Sequence, residues 1–225
     1  MAYARQTDTP QSLLWINGTH AILTITNNGN VNLFGTMANN AGNRSSIRQA
    51  LEGSWGITNK QGLDEMINSL TAGRHNPGLL EEANKQGITG MSRAEFESKL
   101  ARITDRRAAM HSRNIFEAYQ AFGENAIMGW DLSRATQLSA WGYIAGFYSR
   151  EEAVNKALAI GRVIQSKFNS WDDFNASYLY GYAYWRRSNT EDPNSSYAQR
   201  VRIAQELKND ARSPFNLAWN LDLNN

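Results

Sequence analysis

Apolar residues recur along this chain at spacings of three and four positions, which places them on one face of a helix. An internal proline destabilises a helix by about 3 kcal/mol, and residues 78–192 contain none. The pattern therefore predicts a mostly helical protein. The main apolar stripes are Ile47, Leu51 and Trp55; Leu63, Ile67 and Leu70; Phe96, Leu100 and Ile103; Ile115, Tyr119 and Phe122; and Ala153, Ala157, Ile160, Ile164 and Phe168.

Helix start signals agree with these stripes. Ser92 with Glu95, and Ser149 with Glu152, have the spacing of a capping box, in which hydroxyl and carboxylate satisfy each other's free backbone donors. Ser170 precedes a tryptophan and two aspartates, and acidic residues in a first turn interact favourably with the helix dipole. We predict three helices that begin at these serines.

Residues 21–34 allow two interpretations. β-Branched residues on both sides of Asn28 and Gly29 are typical of a β-hairpin. The alternative is a helix that runs from about residue 11 to Asn27, and we favour it. The predicted fold is all-α, or α with one short β-hairpin near residues 21–34, in a compact irregular helical bundle.

The chain contains no internal repeat and no low-complexity linker that would divide it. We predict a single helical domain over residues 1–225. Within it, an N-terminal lobe would cover about residues 11–110 and a C-terminal lobe about residues 114–225.

Composition excludes several classes of protein. The 23 basic and 21 acidic residues give a net charge of +2, too small to indicate binding to nucleic acid, and only the basic segment over residues 93–113 keeps that function as a minor alternative. The absence of cysteine excludes disulfides, thiolate metal sites and thiol nucleophiles. No apolar run approaches the roughly 20 residues of a membrane span or the core of a signal peptide. We expect a cytoplasmic protein, with signal-independent secretion as the alternative.

The segment from Trp130 to Arg134 is the most distinctive. On a helix, Trp130, Arg134 and Trp141 share a face, so the guanidinium is expected to be partly buried and to need a partner. Asp131, three residues earlier, is the nearest candidate. The pair is either a structural ion pair or part of a site in which Arg134 binds a carboxylate or phosphate.

Aromatic residues form a second stripe from Trp171 to Trp185, which is either core or the wall of a ligand site. The candidate ligand- or partner-binding residues are Trp130, Trp141, Tyr143, Trp171, Tyr178 and Trp185. The candidate catalytic residues are Asp131, Arg134 and Asp173, with His75 as a more distant acid or base. The spacing of the three histidines matches no metal site, and we predict neither a metal nor a cofactor.

Several of these motifs occur in the order found in a known family. They are W-D-x-x-R at 130–134, Trp141-Gly142-Tyr143 with Gly146, the helix start at Ser149, and Ser170-Trp171 with Tyr178, Gly181 and Trp185. In these motifs the chain resembles the bacterial domain-of-unknown-function family numbered 1266. Trp55-Gly56-Ile57 and the helix and turn that follow are similar to the family's N-terminal half. The resemblance implies a mostly α-helical cytoplasmic protein and implies no activity.

Two functional hypotheses follow. The first is a protein-binding module, such as an immunity, adaptor or effector-associated protein, because the chain lacks catalytic motifs and is rich in Trp, Tyr and Arg. Its partner would be another protein, and it requires an exposed apolar patch. The alternative is a hydrolase or transferase that acts on an anionic small molecule in a pocket around Asp131 and Arg134.

Overall fold

The computed structural model describes residues 9–224, and within them the chain forms eleven α-helices, three 3₁₀ turns and no strand. The predicted all-α fold is confirmed. The helices are α1 (Gln11–Thr19), α2 (Ala21–Thr26), α3 (Ala41–Trp55), α4 (Lys60–Thr71), α5 (Asn76–Lys85), α6 (Arg93–Leu100), α7 (Arg106–Phe122), α8 (Met128–Ala145), α9 (Arg150–Lys167), α10 (Trp171–Arg186) and α11 (Ser196–Asn209). The 3₁₀ turns are Ile88–Gly90, Gly123–Asn125 and Pro214–Asn216.

The hairpin alternative for residues 21–34 is wrong. His20 interrupts the helix that was expected from residue 11, so that α1 and α2 form instead of one continuous helix. The chain turns after α2 through Asn28, whose φ is 58°. Ala21, Ile22 and Thr24 are buried, and α2 packs against α11. Packing of this face decides the structure of a segment whose β-branched composition alone favours a strand.

The serine caps lie at the predicted positions. Ser92 and Glu95 form the reciprocal capping box at the start of α6. Ser149 accepts a hydrogen bond from the backbone N–H of Glu152, but the Glu152 carboxylate pairs with Lys60 at 2.6 Å. The second capping box is therefore only half formed, because an ion pair to α4 draws the carboxylate away.

Helix α8 lies at the centre of the bundle, and only Trp141 and Tyr143 of its residues are not buried. It packs against α1, α3, α4, α9 and α10. The contact with α10 is close because of two glycines. A Cβ at Gly181 would lie 2.1 Å from Cβ of Trp130, and a Cβ at Gly129 would lie 2.6 Å from the carbonyl oxygen of Phe174.

The largest apolar cluster contains residues from Trp15 to Leu223, including most of the buried apolar residues of α8 and α9. A second cluster joins α5, α6 and α7, where the rings of Phe96 and Phe116 stack at 3.9 Å between centroids. The division into lobes near residue 110 stays a prediction.

Candidate functional site

A cavity of about 760 Å³ opens beside α8, and we call it the central cavity. Ligand sites usually measure roughly 300–1,000 Å³, so it is large enough for a small molecule. Six helices and the turn before α5 contribute to its wall. Its lining residues are Leu23, Asn27, Ser46, Ile47, Ala50, Ser54, Trp55, Met66, Arg74, His75, Trp130, Arg134, Gln137, Trp141, Tyr182, Trp185 and Arg200.

The fully buried carboxylate of Asp131 organises the base of this cavity. Its Oδ2 accepts the backbone N–H groups of His75 at 2.8 Å and of Asn76 at 3.3 Å. Its Oδ1 accepts Nη2 of Arg134 at 2.6 Å and lies 2.7 Å from Nδ1 of His75. One carboxylate therefore fixes the start of α5, an arginine of α8 and a histidine ring.

The guanidinium of Arg134 lies between this carboxylate and two indole rings. Its Nε donates to the carbonyl oxygen of Trp130 at 3.0 Å, and its Cζ lies 4.1 Å from the Trp130 ring centroid and 5.5 Å from that of Trp55. Burial lowers the pKa of Arg134 to about 10, and Asp131 opposes this shift, so the group stays charged at neutral pH. Its Nη1 makes no hydrogen bond within residues 9–224 and remains free for a ligand.

His75 reaches the cavity from the turn between α4 and α5. Gly73 permits this turn because its φ is 89° and a Cβ there would lie 2.6 Å from Sδ of Met128. Nδ1 of His75 faces the Asp131 carboxylate, while the side chain is 23% exposed. Nε2 has no hydrogen-bond partner in the described chain, so it is available to a molecule in the cavity.

The charged side chains that line the cavity are all basic. Arg74, Arg134 and Arg200 contribute guanidinium groups, and none of the described lining residues is acidic. Arg200 is 9% exposed and forms no ion pair with the described residues. Its Nη1 donates to the carbonyl oxygen of Ser196 at 3.1 Å, its Cζ lies 3.8 Å from the Tyr182 ring centroid, and its Nε is buried without a partner.

Aromatic rings form much of the remaining wall. Trp55 and Trp141 are half-buried, and Trp130 stacks at an angle against Trp185 with 5.7 Å between ring centroids. Trp185 is 50% exposed and is the one large hydrophobic side chain that is exposed among residues 9–224. The cavity therefore combines cationic groups with accessible flat apolar surfaces.

The structure brings some of the predicted site residues together and separates others. Asp131, Arg134 and His75 are in contact, and Arg134 and His75 line the cavity with Trp130, Trp141 and Trp185, while Asp131 itself is not among the lining residues. The other four predicted residues lie outside the lining. They are Asp173 in the first turn of α10, Tyr143 beside Phe34, Trp171 packed on Trp15, and the buried Tyr178 behind Trp130.

Sequence reasoning missed Trp55, Arg74 and Arg200. For Arg200 a signal was present, because it shares with Ile203 and Leu207 the buried face of α11. An arginine at an inward position of an amphipathic helix indicates a buried cation that needs a partner. Arg74 and Trp55 carry no such signal, because they reach the cavity only through the arrangement of α3 and α4.

Residues 9–224 contain neither a metal-binding cluster nor a membrane-spanning helix. No three or more histidine, aspartate or glutamate side chains are grouped so that they could hold a metal ion. In the same range, no helix has both the length and the apolar character needed to span a membrane.

Comparisons with known proteins agree with the motifs in the sequence. "Uncharacterized protein YbeU" of Escherichia coli (strain K12) is 26% identical over 152 residues. The match covers 64% of this chain, and the chain spans 60% of the length of that relative. No solved structure matches the chain. The profile of the family described as "Protein of unknown function (DUF1266)" matches residues 50–219, which is most of the chain. The chain therefore belongs to the DUF1266 family.

Proposed function

We propose that the central cavity binds an anionic small molecule that carries a flat unsaturated group. The observation that carries this proposal is the charge of the wall, which contains Arg74, Arg134 and Arg200 and no acidic residue among those described. Asp131 compensates Arg134, whereas Arg74 and Arg200 have no carboxylate partner within residues 9–224, and a bound anion would compensate these two charges.

Arg200 supports the proposal most directly. Removing a charged group from water is unfavourable by several kcal/mol unless an opposite charge compensates it. Arg200 is buried and has no carboxylate partner within residues 9–224, and its interaction with the hydroxyl of Tyr178, whose burial-raised pKa it opposes, provides no counter-charge. The ring of Tyr182 compensates it only in part, since a cation–π contact contributes about 2 kcal/mol when desolvated.

The aromatic wall supports the second part of the proposal. Trp55, Trp141 and Trp185 present ring surface that is not fully buried by the protein. Such surfaces bind flat unsaturated groups by stacking, while the arginines orient the charged end. An enzyme that acts on an anionic small molecule would need a site of this composition.

The hypothesis of a protein-binding module requires an exposed apolar patch, and it stays a prediction. Trp185 is the exposed large hydrophobic residue of the described chain, and it lies at the cavity. Its position favours a role at the cavity, because a protein interface needs a cluster of such residues.

The binding test uses two matched probes, 1-naphthyl phosphate and the neutral 1-naphthol. We expect the phosphate to quench tryptophan fluorescence in a saturable manner that weakens with added salt, because Trp55, Trp130, Trp141 and Trp185 surround the site. We expect the neutral naphthol to bind at least about tenfold more weakly, a difference of about 1.4 kcal/mol.

Variants locate the binding. Arg74→Gln changes an exposed residue of the cavity and should weaken binding of the phosphate probe by about tenfold or less. Arg200→Met should abolish most of the binding while it leaves the fold intact, because the replacement is apolar and of similar length. Arg107→Gln, at an exposed site on α7, is the matched control and should change nothing. Equal binding of both probes, or equal effects of Arg74→Gln and Arg107→Gln, would contradict the proposal.

A further inference from the structure

The ring of His75 is held so that its two nitrogens have different surroundings. Because Oδ1 of Asp131 is an acceptor 2.7 Å from Nδ1, the proton of the neutral ring resides on Nδ1. Nη2 of Arg134 lies 2.9 Å from the same Nδ1, and with the proton on Nδ1 both nitrogens donate to Oδ1 of Asp131. This tautomer leaves the lone pair on Nε2, which has no partner within residues 9–224.

Two guanidinium groups line the cavity together with this imidazole. Arg134 contacts the same carboxylate as His75, and Arg74 directly precedes His75 in the chain. The charge of Arg74 contributes to the lowered pKa of Arg134, so the two guanidinium groups interact through space. Arg74, His75 and Arg134 line the same cavity, so a tetrahedral anion bound there by the two guanidinium groups can reach the imidazole ring.

We propose that Nε2 of His75 is a nucleophile that accepts the phosphoryl group of a phosphate ester bound in the central cavity. This inference rests on the proposed function, since it requires an anion in that cavity. The ligands would be phosphate monoesters of flat unsaturated alcohols. The reaction would be hydrolysis of the phosphoester through a phosphohistidine.

The Nε2 lone pair forms an N–P bond while the ester P–O bond breaks, and the leaving oxygen takes its electron pair and a proton from water. The ring keeps its proton on Nδ1, and the Asp131 carboxylate stabilises its positive charge. Water then attacks phosphorus, the N–P bond breaks with its electron pair returning to Nε2, and inorganic phosphate leaves after the attacking water loses a proton to solvent.

The test uses phosphoramidate, a small phosphoryl donor whose P–N bond breaks with release of ammonia. The full chain is incubated with it near neutral pH, and the gain of a phosphoryl group is followed by intact mass spectrometry and located by electron-transfer fragmentation. We expect His75 to be phosphorylated at least about tenfold faster in the native chain than in the same chain unfolded in urea, a difference of about 1.4 kcal/mol.

Two variants make the result specific. Arg74→Gln should slow phosphorylation of His75 by about tenfold, equivalent to about 1.4 kcal/mol. His111→Gln changes a histidine that pairs with Glu82 outside the cavity, and it should leave the rate at His75 unchanged. Phosphorylation of His75 at equal rates in the native and unfolded chain, or no effect of Arg74→Gln, would overturn the inference.

Failure of this inference differs from failure of the proposed function. Binding of 1-naphthyl phosphate is measured in parallel for the His75→Gln variant, which removes the nucleophile and keeps the arginines. If the probe binds while the native chain shows no accelerated phosphorylation, the cavity binds anions and the nucleophile is refuted. If the probe binds to neither the native chain nor this variant, both proposals fail.

Discussion

At the scale of single residues, Asp131 links chemistry to stability. Its carboxylate accepts two backbone N–H groups, an arginine and a histidine, and its side chain has no exposure to solvent. The four donors compensate the free energy that the carboxylate loses when it is buried away from water. Without the carboxylate, each of these donors would be buried and have no hydrogen-bond acceptor. The same group that fixes His75 and Arg134 at the cavity therefore also fixes the start of α5 against α8.

We expect Asp131→Ala to lower the free energy of unfolding by about 3–5 kcal/mol, because it leaves the Arg134 charge buried without a counter-ion. Urea denaturation followed by circular dichroism measures the loss. The matched control is Asp173→Ala, which removes a half-buried carboxylate with no side-chain ion pair in the described structure and should lower stability by about 1 kcal/mol or less through the helix dipole. Equal losses in the two variants would show that the Asp131 network does not stabilise the fold.

At the scale of helices, the close approach of α10 to α8 depends on Gly181, which has no Cβ. A Cβ at Gly181 would lie 2.1 Å from Cβ of Trp130 and 3.2 Å from Cβ of Ile127. Both of these neighbours are backbone-attached carbons of a buried segment, so they cannot move without shifting the helix. Gly53 in α3 provides the contrast, since a Cβ there would meet nothing within 4 Å.

We expect Gly181→Ala to destabilise the protein by about 1–3 kcal/mol through overpacking. Gly53→Ala should instead stabilise it by up to about 1 kcal/mol, because alanine favours a helix more than glycine does. Thermal melts of the two variants and the parent chain measure both effects. The close contact of α8 with α10 would be refuted if both alanine variants raised the melting temperature.

The helices themselves could be predicted from sequence because they depend on local information. The apolar spacing of Leu63, Ile67 and Leu70, and the caps at Ser92 and Ser170, are readable within one or two turns. Residues 21–34 could not be assigned securely, because packing of α2 against α11 decides their structure. The same holds for the site, where His75 and Arg200 meet α8 only through contacts of high sequence separation.

At the scale of the whole molecule, the bundle buries a polar junction as well as an apolar core. Where α1 meets α2, Thr19 contacts Thr136 of α8 at 2.7 Å between hydroxyl oxygens, and Nδ1 of His20 lies 3.3 Å from the same hydroxyl. Asn17 is also buried at this junction. The arrangement holds a titratable imidazole at the centre of the fold, away from water.

This junction makes the stability of the whole molecule depend on pH. Burial lowers the pKa of His20 from its ordinary value of 6.5 to about 3, so the folded chain keeps the ring neutral where the unfolded chain binds a proton. Stability should therefore fall as pH drops below 6.5, by about 2 kcal/mol between pH 7 and pH 5, and the loss should continue down to the folded pKa. Carboxylates contribute little in that upper interval, because they titrate at lower pH.

The comparison of urea unfolding at pH 7 and pH 5 tests this for the parent chain and His20→Asn, whose amide can reach the position of Nδ1. The variant should lose its dependence on pH in this interval, whatever its absolute stability, because it carries no titratable group at the junction. His111→Asn is the matched control, and its dependence should remain, because this variant keeps the buried imidazole of His20 and changes a histidine that lies outside the junction beside Glu82. An unchanged pH dependence in His20→Asn would mean that the buried imidazole at the α1–α2 junction does not limit the acid stability of the bundle.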